Sequence, residues 1–148
     1  MENTAFTVKL IPLDEIASVL PIFINFHPAY SGEQLLRLLT EMMEQGYQCA
    51  VAFDNDRPVG VIGLWIQTKF YIGKHIEYDN FYVLPSYRGR GVGKSLLKYV
   101  NCYAREQGCI AAELTCDIEE NASQAFWKRM NFTTIGQRYQ IALNKFAL

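Results

Sequence analysis

At 148 residues the chain is long enough for one compact domain, 1–148, and too short for two comfortable ones. Half of it is hydrophobic, a fifth is charged and the net charge is −1 at pH 7, so it lacks the basic excess of a large nucleic-acid surface. Its longest apolar runs, such as "VIGLWI", are too short to cross a bilayer.

The opening "MENTAFTVKL" lacks the apolar segment of a secretion signal. The four cysteines form no C-x-x-C pair and read as free thiols of a reducing, cytoplasmic setting rather than as a metal site. "FTVKLIPL" alternates as a first strand. "LDEIASVLPIFINF" sets Ile16, Val19, Leu20 and Phe23 at helical spacing, with Pro21 expected to break or bend the helix. "SGEQLLRLLTEMMEQG" is a cleaner helix: Ser31 caps it, Gln34 completes a capping box and Gly46 closes it. "YQCAVAFD" and "VGVIGLWIQTKF" flank the polar turn "NDRP" as a hairpin, and "HIEYDNFYV" follows as an antiparallel neighbour. A glycine turn leads into the helix "GKSLLKYVNCYAREQG". "CIAAELTCDI" is the next strand and, with a helix intervening, runs parallel to "HIEYDNFYV". "NASQAFWKRM" is a short helix, and "FTTIGQRYQIAL" is expected to carry one or two final strands. The layout is α+β: a mixed, mostly antiparallel sheet flanked by helices.

The chemistry is concentrated in "FYVLPSYRGRGVGKSLLKYV". A Walker A loop requires a glycine at position 88, where Arg88 stands. A dinucleotide fingerprint requires one at position 94, where Lys94 stands. The pattern Gln/Arg-x-x-Gly-x-Gly/Ala is met in full by Arg88, Gly91 and Gly93. With "DNFYVLPSYRGRGVG" before it and "ENASQAFWKRMNF" after it, the chain resembles the GNAT-type N-acetyltransferases from about the first hairpin onward. Backbone N–H groups at a helix start point outward unpaired, and glycines let the chain curl so that several converge on one pyrophosphate. Arg88, Arg90 and Lys94 add positive charge.

The resemblance implies acetyl-coenzyme A as cosubstrate, lying where two parallel strands, about 75–83 and 110–118, splay apart. It implies that Phe81, Tyr82 and Val83 offer backbone to the acetyl and pantetheine groups. Arg88, Gly89, Arg90, Gly91, Val92, Gly93, Lys94 and Ser95 would hold the pyrophosphate, and Asn121 the pantetheine arm. Lys128 or Arg129 would meet the adenosine phosphate or lie on a solvated helix face. Glu77 and Asp79 share a strand face and are candidate bases for the acceptor amine, or else members of an exposed face or a salt bridge. Glu113 is a third acidic candidate. Trp127 stands in the cofactor region where many family members carry a tyrosine proposed to protonate the leaving thiolate; indole is no useful acid, and Tyr139 is a candidate substitute. Phe26, His27 and Tyr30 would line the acceptor pocket or simply pack their loop. Cys116 reads as an inert thiol rather than a covalent acetyl carrier. No metal is expected, and a homodimer is in keeping with the family. The alternative function is a non-catalytic acyl-coenzyme A-binding regulatory module. A Gly91→Val substitution is expected to obstruct phosphates while leaving the fold intact.

Overall fold

The computed structural model describes residues 6–145. Two compact units make up the chain, residues 1–115 and 116–148. Among the described residues no helix is long and apolar enough to cross a membrane.

The first unit is built on a five-stranded sheet in the order β1-β2-β3-β4-β5. The strands are β1 (Thr7–Leu10), β2 (Gln48–Asp54), β3 (Arg57–Lys69), β4 (Gly73–Val83) and β5 (Ala111–Leu114). The first four pair antiparallel; β4 and β5 pair parallel, as the intervening helix α3 (Val92–Glu106) requires. Helices α1 (Ile16–Phe26) and α2 (Gly32–Glu44) lie between β1 and β2.

Period-two alternation divides β3 between two layers. Val61 points into a core with Ile16, Val19, Ile22 and Phe23 of α1, Leu35 and Leu39 of α2, and Tyr47, Cys49 and Val51; Trp65 packs at its edge. The even positions face α3, where Gly60 lets the helix approach: a Cβ there would lie 2.7 Å from Val92 Cγ1 and 3.1 Å from Leu96 Cδ1. Tyr103 donates to Gln48 Oε1 at 2.9 Å and Tyr78 donates to Asn101, tying α3 to the same face.

Local signals behave as expected at α2. Ser31 Oγ accepts from the Gln34 N–H at 3.1 Å, and Gln34 Oε1 accepts in return from the Ser31 N–H at 2.8 Å, a complete capping box. Pro21 does not break α1, which runs through it. The buried residues Ile16 and Val19 before it and Ile22 and Phe23 after it anchor both halves in one core, which outweighs a lost N–H on the exposed side.

The second unit opens on a turn organised by Asp117, whose Oδ1 accepts from the Glu119 N–H at 2.9 Å. Helix α4 (Asn121–Arg129) follows. Trp127 is buried edge-on to Phe126 and Phe132, both at 5.1 Å. Asn131 ends the helix at φ +68°, a left-handed position that asparagine tolerates better than most residues. Two expectations are corrected. The strand read in "CIAAELTCDI" is confined to Ala111–Leu114, because its ladder to β4 stops there. "FTTIGQRYQIAL" forms no strand: Ile135, Tyr139 and Ile141 are exposed, no ladder pairs them, and an extended segment gains stability only by pairing.

Gly60→Ala should overpack the α3 contact and cost ~1–3 kcal/mol of stability. Urea unfolding measures it; a midpoint equal to that of the wild type would show that α3 yields at no cost.

Candidate functional site: a bulged strand edge beside a glycine turn

The β4–β5 ladder pairs His75 with Ala111 through Tyr78 with Leu114 and goes no further, although β4 continues to Val83. From Asp79 onward the β5-facing edge of β4 therefore has no strand partner in the sheet. On the other edge the β3 register slips at the same place: Gly63 pairs with Asp79, but Val61 pairs with Tyr82. Asn80 and Phe81 thus oppose Ile62 alone, and Asn80 takes φ +53°. This is a β-bulge, which bends a strand and re-aims the side chains beyond it.

The bulge also exchanges the faces of β4. Before it, Glu77 and Asp79 lie with Trp65 on the α1/α2 side, and Trp65 Nε1 donates to Asp79 Oδ2 at 3.2 Å. After it, Tyr82 takes that side. It stacks on Phe26 with ring centroids 4.8 Å apart and donates to Asn25 Oδ1 at 2.6 Å. Phe81 turns to α3, where it would stand 3.0 Å from a Cβ on Gly93. Phe81, Tyr82 and Val83 thus lie past the end of the β5 ladder, where an extended ligand could run alongside β4 as a neighbouring strand would.

The glycine turn comes directly after. Gly89 and Gly91 have φ of +75° and +87°, and a Cβ on either would meet nothing within 4 Å. Conformation, not space, demands glycine there. Gly91→Val would strain the turn itself, besides any obstruction of phosphates. Gly91 is the N-cap of α3 and offers no side-chain bond, so the N–H groups of Val92, Gly93 and Lys94 are available to an anion. Ser95 Oγ is occupied, donating to Gly91 O at 3.0 Å. Arg88 Nε donates to Val83 O at 3.0 Å, and its guanidinium lies 5.4 Å from the Tyr82 ring centroid. Arg90 lies 4.5 Å from the centroid of Tyr87. The remaining guanidinium donors and Lys94 have no ion-paired carboxylate among the described residues.

On the α1/α2 side the sheet carries Glu77, Asp79 and Glu113. Glu77 and Glu113 are direct neighbours across the β4–β5 ladder. Tyr71, which sequence reasoning missed, donates to the Glu113 carboxylate at 2.5 Å; that bond raises the phenol above its usual range. His27 ends α1, its N–H donating to Phe23 O at 2.8 Å, with its ring 4.2 Å from Phe26 and 6.2 Å from Tyr30. Burial pushes His27 below 6.5, and the negative charge of Asp79 works against that shift. Trp65 and Tyr71 were missed because their roles depend on register, which no spacing along the chain reveals.

In the second unit Asn121 opens α4 at the surface, and Lys128 and Arg129 close it. Burial, then Glu120 and Asp117, push the Cys116 thiol up, which disfavours a nucleophilic thiolate.

The sheet is mixed, its parallel pair ends beside a bulge, and an uncapped glycine turn follows in the chain. A family model for the GNAT acetyltransferases matches residues 16–132, and the chain belongs to that family. It is 29% identical over 111 residues to a peptidyl-lysine N-acetyltransferase of Salmonella typhimurium, covering 74% of this chain and 65% of that one. It is 27% identical over 103 residues to an aminoalkylphosphonate N-acetyltransferase of the same organism, covering 69% and 67%. An uncharacterised N-acetyltransferase of Methanocaldococcus jannaschii is 25% identical over 140 residues, covering 86% and 60%. The matches thus span about three fifths to two thirds of the length of these curated relatives. In fold, it is similar to an integron cassette protein from the V. cholerae mobile metagenome (TM-score 0.83, 19% identity, covering 94% and 93%). It is also similar to an aminoglycoside N-acetyltransferase in complex with CoA (TM-score 0.81, 17% identity, covering 93% and 94%).

His27 should titrate below 6.5, read from its ring-proton shifts, and Asp79→Asn should lower it further by removing the opposing charge. Because the folded state resists protonation, His27 should subtract stability only as pH falls through and below 6.5. A midpoint that Asp79→Asn leaves unmoved would show that the two groups do not sense each other.

Proposed function

We propose that this chain is an N-acetyltransferase that uses acetyl-coenzyme A and transfers the acetyl group directly to a primary amine of a small molecule or peptide. The observation that carries this reading is the parting of β4 from β5 at a bulge, followed in the chain by an uncapped helix start on left-handed glycines. An extended ligand with a phosphate at one end fits both. The N–H groups of the turn, with Arg88, Arg90 and Lys94, would hold the pyrophosphate. The backbone of Phe81, Tyr82 and Val83 would hold the pantetheine and the acyl carbonyl. Asn121 and Trp127 are assigned to the same ligand by the resemblance.

Acetyl-coenzyme A supplies a thioester whose C–S bond breaks as the C–N bond to the acceptor forms. The residues of this chain must prepare the amine. A primary alkyl amine has a pKa of about 10.4 and is mostly protonated near neutrality, so a group at the site must take its proton. Glu77 and Asp79 are the proposed acceptors of that proton, directly or through water. Their charge, with Glu113, also suits a cationic substrate. Phe26, His27 and Tyr30 are proposed to flank it. The two Salmonella typhimurium relatives are named for aminoalkylphosphonate and peptidyl-lysine, and both names denote primary amines.

A non-catalytic acyl-coenzyme A-binding module is the second reading, favoured by one feature: Trp127, where a tyrosine acid is common in the family. A thiol with a pKa of about 8.5 leaves tolerably as thiolate, so the first reading stands without that acid.

Thermal unfolding with acetyl-coenzyme A, coenzyme A and Mg-ATP tests the ligand. At a hundred times its dissociation constant, the bound ligand should raise the midpoint by roughly 5–10 °C. Acetyl-coenzyme A should shift it and Mg-ATP should not; a shift with Mg-ATP alone would overturn the assignment. Thiol release across a panel of primary amines then separates enzyme from binding module, since only the enzyme releases coenzyme A.

A further inference from the structure

The bulge in β4 is held from below by a side chain from another strand's approach. Tyr47, just before β2, is 1% exposed, and its hydroxyl donates to Asn80 Oδ1 at 3.1 Å. Asn80 is the residue at φ +53° that makes the bulge. Gly63, on β3 opposite Asp79, leaves the room. A Cβ there would stand 2.3 Å from the Tyr47 hydroxyl and 2.7 Å from Asp79 O. The Tyr47 ring lies 5.2 Å from that of Trp65, and Trp65 donates to Asp79 Oδ2 at 3.2 Å. The two residues at the point where β4 loses β5 are thus each pinned by an aromatic donor, and the two aromatics brace each other.

We infer that Tyr47 is a positioning residue, whose buried hydroxyl fixes the bulge at Asn80 and thereby aims the backbone of Phe81 to Val83 at the acyl group. The inference rests on the proposed use of acetyl-coenzyme A. Three departures from ordinary strand chemistry coincide there: a left-handed non-glycine residue, a glycine in mid-strand and a buried phenol directed at one amide. A straight strand would need none of them, and local strain of this kind is retained where an edge must be re-aimed. Burial also raises the Tyr47 phenol well above 10, so it remains a donor throughout the assay range. In the register before the bulge, odd-numbered residues of β4 face α1. Without the pin, nothing in that register would bring Tyr82 to the α1 side, where it now meets Phe26 and Asn25. Tyr47 touches no substrate in this account. It acts through Asn80.

The test uses Tyr47→Phe, which keeps the ring and the core, Asn80→Gly, which keeps the left-handed backbone and removes the acceptor, and the double variant. Two readouts need no acceptor amine. The first is the preference for acetyl-coenzyme A over coenzyme A, measured as a ratio of dissociation constants. The second is the infrared stretch of the bound thioester carbonyl, labelled with ¹³C. Each single variant should reduce the preference about three- to tenfold, the worth of one neutral hydrogen bond. Each should also return the carbonyl stretch toward its value in water, while coenzyme A itself binds within about twofold of wild type because the glycine turn is untouched. The double variant should lose no more than either single one, since both remove the same bond. A purely structural role would instead weaken both ligands alike and leave the carbonyl frequency unmoved, and that result overturns the inference. If wild type shows no affinity for either ligand, the proposed function falls and the inference with it. Wild-type binding with an unchanged Tyr47→Phe carbonyl stretch overturns the inference alone.

Discussion

Every backbone N–H and C=O along β4 needs a partner, and the strand meets that demand differently in its two halves. Up to Tyr78 it is an interior strand, bonded to β3 on one side and β5 on the other. Beyond that point β5 is gone and only β3 remains. A sheet that simply ended there would leave a raw edge prone to pair with any other chain. The bulge at Asn80 bends this edge, and the Arg88 side chain turns back to satisfy Val83 O. The stretch without β5 is therefore short and bounded at both ends, which guards it against pairing with another strand.

The same strand joins the two halves of the proposed chemistry. Tyr82 touches both: its ring stacks on Phe26 and lies near the Arg88 guanidinium. Arg88 opens the glycine turn, and Phe26 precedes His27 at the end of α1. The glycine turn and the end of α1 thus share one aromatic ring rather than meeting through the distant core. The carboxylates stand on the other side of the bulge, where the strand's parity is reversed. The bulge therefore lets a single strand carry carboxylates and aromatic packing to α1 on the same sheet face.

What the sequence made legible was local. The capping box at Ser31 and Gln34 needs only residues three apart, and the glycine turn only a few contiguous positions. The parallel pairing of β4 with β5 came from the helix between them. The bulge escaped because its causes lie far from it in the chain: Tyr47 is 33 residues before Asn80, and Gly63 reads in isolation as a mere weakness in a strand. Of the two outcomes open at Pro21, the break does not occur, because local propensity ignores the core on either side of it. The alternating tail after Phe132 shows the reverse error, for alternation marks a segment that could pair and does not supply the partner. Glu77 and Asp79 were recognised as sharing a face, but the hold of Trp65 on Asp79 depends on hairpin register.

The parity reversal at Asn80 makes that residue surplus to the ladder: with Phe81 it opposes Ile62 alone. Delete it, and Phe81 would oppose Ile62 and Tyr82 would still oppose Val61 in plain alternation, so both faces would stand and only the bend would go. Straighten the strand at its present length, and the faces would exchange. Phe81 would then stand where Tyr82 meets α1, with no hydroxyl for Asn25. Tyr82 would turn toward Gly93, where even the present ring would lie only 3.0 Å from an added Cβ. The strand therefore tolerates the loss of its extra residue better than the loss of the bulge with that residue still in place.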